Sequence, residues 1–211
     1  NLRRSYRPAP FGAGLQDDEG GFMNIGINGY EAVVPRFGYD AKTGLPNRAG
    51  SGEYCYQLLN ALHHIDKKNN YFVYLPCTPS ADMPGENNFW HYVVVPGKRL
   101  WTLLQLSKAL LLDREKLDVF FSPTHYLPLY TKCPAIISLM DLSYLHFPKA
   151  FAKRDLYQLK LWTKMSVLKA KHILTISESS KDDIIGYYKA KDSEVTVTYL
   201  GIKKELSQVT Q

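Results

Sequence analysis

Seven short apolar runs, at residues 23–27, 71–75, 91–95, 119–122, 135–139, 173–176 and 195–199, alternate along the chain with longer amphipathic stretches. Several of the runs are apolar almost throughout, as expected for strands of a parallel sheet covered on both faces by helices. The intervening pattern predicts helices at about 51–66, 101–113, 152–170 and 178–189. In the third of these, Leu156, Leu159, Met165 and Leu168 mark the expected core stripe, and Lys153, Lys160 and Lys164 share a solvent-facing side. Pro123, Pro128, Pro134 and Pro148 place loops directly after the strands ending near Ser122 and Leu139. The predicted fold class is α/β: a Rossmann-like, doubly wound and mainly parallel sheet with helices on both faces.

Ligands of such sheets bind beyond the carboxyl ends of the strands, where loop backbone is free and helices begin. Four loops are therefore the candidates for function: residues 28–52, 122–130, 140–150 and 177–180. The first ends in Gly50-Ser51-Gly52 at a helix start. Those glycines let a ligand approach the backbone amides, or the segment is an ordinary connection with Ser51 as N-cap. The second presents His125 and Tyr126, either as sugar contacts or, for His125, as a structural hydrogen-bonding residue. The third places Asp141 at the mouth of a buried strand, where a carboxylate can accept a hydrogen bond from a substrate hydroxyl or cap the following turn. The fourth offers Ser177 and Glu178, for which an N-capping role needs no ligand.

Composition narrows the picture. The 211 residues are 45% apolar, enough for one domain with a sizeable core. Residues 1–22 read as an appendage, either expression-derived or an upstream extension, because Arg3, Arg4 and Arg7 are offset by Asp17, Asp18 and Glu19 among Gly and Pro. The formal charge of +6 thus resides in the remainder, which favours anionic partners. No nucleic-acid motif accompanies that charge, and a nucleic-acid partner is not expected. Cys55, Cys77 and Cys133 are widely spaced without a nearby His, which predicts incidental thiols, a reducing compartment and no metal site. The densest aliphatic stretch, 103–112, is too short to span a bilayer, so a cytoplasmic chain, soluble or peripheral on the inner membrane face, is expected.

Gly50-Ser51-Gly52, Ser122-Pro123, Asp141-Leu142, Phe147-Pro148, Ser177-Glu178-Ser179-Ser180 and Tyr199-Leu200-Gly201-Ile202 follow one another in the order found in the amino-terminal domain of glycosyltransferase family 4. The chain resembles that domain from Met23 to about Ile202. The resemblance implies one half of a GT-B enzyme, on the acceptor side of a retaining transfer. A nucleotide-sugar donor would be the co-substrate, with no cofactor, and the acceptor a glycan or lipid-linked sugar. It also implies that Gly50, Ser51, Gly52, His125, Tyr126, Asp141, Ser177 and Glu178 belong to the substrate site, with Asp141 the catalytic candidate. Met140 stands where the family often has His before the Asp, and a thioether can neither donate a proton nor hold a charge. Residues 203–211 read as the start of an interdomain linker, so the donor's diphosphate and nucleotide would be gripped by a carboxyl-terminal domain beyond them. Alternatively, the chain is a non-catalytic subunit that recruits an acceptor or an anionic membrane, an idea motivated by the Lys153, Lys160 and Lys164 face. A dinucleotide-dependent oxidoreductase or a phosphatase lacks support, since neither a dinucleotide fingerprint nor a nucleophile loop is present.

Overall fold

A computed structural model describes residues 21–201 apart from Arg36, Lys98 and Arg114. The expected appendage, save Gly21 and Phe22, and the expected linker lie outside the described residues.

All seven predicted strands form: β1 (Asn24–Asn28), β2 (Asn70–Leu75), β3 (Trp90–Val94), β4 (Val119–Ser122), β5 (Ala135–Ser138), β6 (His172–Thr175) and β7 (Val195–Val197). They pair in the order β3-β2-β1-β4-β5-β6-β7, and every pairing is parallel. The chain therefore winds outward from β1 to β3, crosses back, and winds outward again from β4 to β7. That is the topology of a Rossmann-like, doubly wound α/β domain, with its switch point between β1 and β4.

The helices are α1 (Tyr30–Val33), α2 (Ser51–Ile65), α3 (Leu106–Leu112), α4 (Ser143–His146), α5 (Lys153–Lys169) and α6 (Glu178–Tyr188). The stretch 101–113, expected as one helix, divides into a π-turn at Trp101–Gln105 and α3. Side chains of β2 alternate between two cores. Tyr71, Val73 and Leu75 join Cys55 and Leu59 of α2, whereas Phe72 and Tyr74 join Leu106 and Leu110 of α3. Helices thus cover both faces, which is why β2 is apolar from Tyr71 to Leu75 and buried along its whole length.

The core stripe of α5 differs from its expected course. Leu156 and Leu159 pack against the core as expected, but Met165 and Leu168 are 45% and 73% exposed. The stripe instead continues through Thr163, Ser166 and Val167. The physical reason lies in the loop after β4: Ser166 Oγ accepts the Leu127 amide at 2.8 Å, which requires a small polar residue facing inward. Tyr157, Leu161, Met165 and Leu168 are left as an exposed apolar row, spaced four, four and three residues apart, beside the exposed Lys153, Lys160 and Lys164.

Candidate functional site

Because every strand runs the same way, the loops 28–52, 122–130, 140–150 and 177–180 all leave the same edge of the sheet. Those after β1 and β4 flank the switch point, where diverging connections leave a crevice. A buried network ties the two strands together there. Asn28 Nδ2 donates to Ser122 Oγ at 2.9 Å, and Ser122 Oγ donates to the Tyr126 carbonyl at 2.7 Å. Asn28 Oδ1 also accepts the Tyr30 amide at 3.1 Å. Asn28 and Ser122 are fully buried, so the positions of Tyr30 and Tyr126 are set by hydrogen bonds shielded from water.

Tyr30 and Tyr126 face a cleft of about 580 Å³. Glu31 and Thr124 complete the walls closest to the switch point. The connection after β3 contributes Arg99, Leu100 and Trp101, and one face of α5 contributes Arg154, Gln158 and Trp162. Trp101 is held by its ring N–H, which donates to the Val95 carbonyl at 2.7 Å, and by packing on Tyr30 with ring centroids 5.2 Å apart. Tyr126 and Trp162 meet edge to face at 5.6 Å. Leu100 takes a left-handed backbone (φ 52°) immediately before the π-turn. Both features carry local strain, which concentrates in proteins at functional positions.

The Gly50-Ser51-Gly52 segment meets this cleft through Glu31. Ser51 Oγ donates to Glu31 Oε2 at 3.1 Å. The N-cap of α2 is Gly50 rather than Ser51, with φ 53° and ψ −121°, a conformation that side chains resist. Gly52 is buried, and a Cβ there would lie 3.0 Å from the Glu31 carbonyl oxygen. Its missing side chain thus lets α2 pack closely on α1. Gly50→Ala meets no steric neighbour, so its cost is backbone strain alone. Denaturant unfolding is expected to record a loss of about 1–2 kcal/mol; no loss would contradict the strained cap.

The loop before α2 is stapled by Arg48. Its Nε donates to the Ala32 carbonyl at 2.6 Å, Nη1 and Nη2 grip Asp82 at 2.5 and 3.1 Å, and Nη2 also reaches Ser80 Oγ at 2.9 Å. The guanidinium lies 3.9 Å over the Tyr56 ring. Cys55, one turn into α2, is buried, and burial with the nearby Glu31 charge pushes its thiol far above the ordinary range. It is chemically inert; Cys133 is half buried and Cys77 exposed.

The other residues singled out from the sequence lie on the same edge but have local partners. Asp141 is exposed, and its Oδ1 accepts the Ser143 amide at 2.8 Å, capping the turn into α4. His125 is half buried, with its ring 6.3 Å from that of Tyr126. Ser177 Oγ accepts the Ser180 amide at 3.1 Å and caps α6. Glu178 Oε1 accepts the Tyr199 hydroxyl at 3.3 Å. Of the eight candidates only Tyr126 lines the cleft, and Ser51 touches it at one remove. Asn28, Glu31, Arg99, Arg154 and Trp162 were not legible as site residues, although Arg154, Gln158 and Trp162 recur every fourth position and so share one helix face.

Among the described residues no group of three or more His, Cys, Asp or Glu side chains could hold a metal ion, and no helix is long and apolar enough to cross a membrane. No protein-family model matches the chain, and no curated protein matches it as a relative. The geometry itself establishes a Rossmann-like α/β domain with an aromatic, charged cleft at its topological switch point.

Proposed function

We propose that this chain is the acceptor-side domain of a retaining, nucleotide-sugar-dependent glycosyltransferase of the GT-B type. The observation that carries the proposal is the cleft between the β1 and β4 connections, where aromatic side chains stand beside the Glu31 carboxylate. That mixture suits a sugar: the apolar ring face packs on Tyr126 or Trp162 while Glu31 accepts hydrogen bonds from hydroxyls. The ordered motifs that resemble glycosyltransferase family 4 add the reaction class.

On this reading the chain binds and orients the acceptor, and a companion domain brings the nucleotide sugar. Transition-state charge is then stabilised mainly by groups gripping the donor's phosphates, and closure of the two domains excludes water. Asp141 remains the candidate for a contact with the reacting hydroxyl, since its position at the end of β5 faces the same edge. The test is sugar transfer by the full gene product across panels of nucleotide sugars and glycan or lipid-linked acceptors. Transfer with retained anomeric configuration, strongly reduced by Trp162→Ala and Glu31→Gln, is expected. No transfer from any donor, or transfer indifferent to both changes, would sink the reading. Asp141→Ala separates two roles for that residue: loss of the cap alone costs about 1 kcal/mol of stability with turnover intact, whereas an acceptor contact lowers turnover as well.

A second reading, recruitment to an anionic membrane, is favoured by the exposed row of Tyr157, Leu161, Met165 and Leu168 beside three lysines on α5. Apolar side chains inserted at the headgroup boundary and lysines over anionic lipid complement each other. Co-sedimentation with phosphatidylglycerol-containing vesicles should exceed that with neutral vesicles and fall in Leu161→Ser/Leu168→Ser. Equal partitioning would end the membrane reading.

A further inference from the structure

The arginines at the cleft differ from Arg48 in one respect. Arg48 is fully engaged, by a carboxylate, a carbonyl, a hydroxyl and an aromatic face. Arg99 and Arg154 line the cleft, both are exposed, and neither forms an ion pair or hydrogen bond with another described residue. They arrive from elements far apart in the chain, the connection after β3 and the first turn of α5. Gln158, one turn beyond Arg154, lines the same cleft and adds a neutral donor. Glu31, the one acid among the described residues of the lining, already receives the Ser51 hydroxyl.

Two guanidinium groups at one cavity, without carboxylate partners among the described residues, offer planar donor forks that match phosphate and carboxylate oxygens. A purely neutral glycan would leave both charges unused. Resting on the acceptor reading above, we infer that the cleft selects a sugar or polyol bearing an oxyanion, a phosphate ester or a carboxylate. The oxyanion is held by Arg99 and Arg154, and the ring lies against Tyr126 and Trp162 with hydroxyls toward Glu31.

Calorimetric or fluorescence titration of the full chain tests this with four classes of probe: neutral hexoses, their 1- and 6-phosphates, hexuronates, and inorganic phosphate. At least one anionic sugar is expected to bind tenfold or more tighter than its neutral parent. Arg99→Gln/Arg154→Gln should erase that difference without lowering the melting temperature, since both side chains are exposed, and raised salt should weaken only the anionic probe. The phosphate and uronate arms identify which oxyanion is preferred. Equal affinity for neutral and anionic sugars, or an advantage untouched by the double substitution, overturns the inference while leaving the acceptor reading standing. Inorganic phosphate binding as tightly as every sugar phosphate overturns the ring contacts and the acceptor reading with them. Failure of all four classes to bind contradicts both.

Discussion

Replacing Arg48 with methionine is expected to lower the unfolding free energy by about 3 kcal/mol, the lower end of the range for breaking a buried ion pair. The side chain of Arg48 is only 6% exposed and that of Asp82 18%, so the stranded carboxylate would be partly hydrated, which sets the lower end. Methionine keeps the apolar stem over Tyr56 but loses the bonds to Ala32, Ser80 and Asp82. For a domain of this size the melting temperature should fall by roughly 6–12 °C. Removing the second charge as well, in Arg48→Met/Asp82→Leu, should restore part of the loss. A single-variant loss below about 1 kcal/mol would show that the staple is unimportant.

The same pair makes a pH prediction. Hydrogen bonding from Arg48 holds the Asp82 carboxyl below its usual range, against the opposing effect of burial. A carboxyl whose folded pKa is depressed contributes stability that is complete above its unfolded value, near about 4, and is lost as pH falls through the folded value. The advantage of the wild type over Arg48→Met should therefore hold from neutral pH to roughly 5 and narrow below about 4. A gap that stays constant down to strongly acid pH would contradict the assignment.

The second large effect concerns the switch point. Asn28→Ala is expected to cost about 2–4 kcal/mol, combining an orphaned Tyr30 amide with a small cavity at a fully buried position. It should also weaken any ligand of the cleft, because Tyr30 and Tyr126 are both positioned through the Asn28–Ser122 network. Ser122→Ala breaks the same network from the other strand. A double-mutant cycle should give a coupling of about 0.5–3 kcal/mol, and simple additivity would mean that the two residues act independently.

The strands and most helix limits could be read from the sequence because they follow from patterns a single segment contains. Val119 to Ser122 is bounded by turn-forming residues, and β2 is apolar from Tyr71 to Leu75 because both of its faces are covered. The buried face of α5 was not legible, since Ser166 faces inward to accept a hydrogen bond from a distant loop and Thr163 is buried with it, while Met165 and Leu168 face out. The cleft is harder still. Glu31, Arg99, Tyr126 and Trp162 lie on four separate connections or helices, and the three-dimensional winding of the whole sheet, not any local pattern, brings them together. Asp141 and Ser177 stood out by their positions after strands, yet each also satisfies a local backbone amide, a use that side-chain type alone does not distinguish from ligand binding.

Backbone amide chemical-shift mapping of the chain, titrated with its tightest-binding saccharide, shows whether the switch-point cleft is where a sugar binds. The largest shifts are expected at Tyr30, Glu31, Trp101, Tyr126 and Trp162, on both sides of the switch point. Shifts confined to the Asp141 and Ser177 turns or to the outer face of α5, with the cleft unchanged, would contradict it.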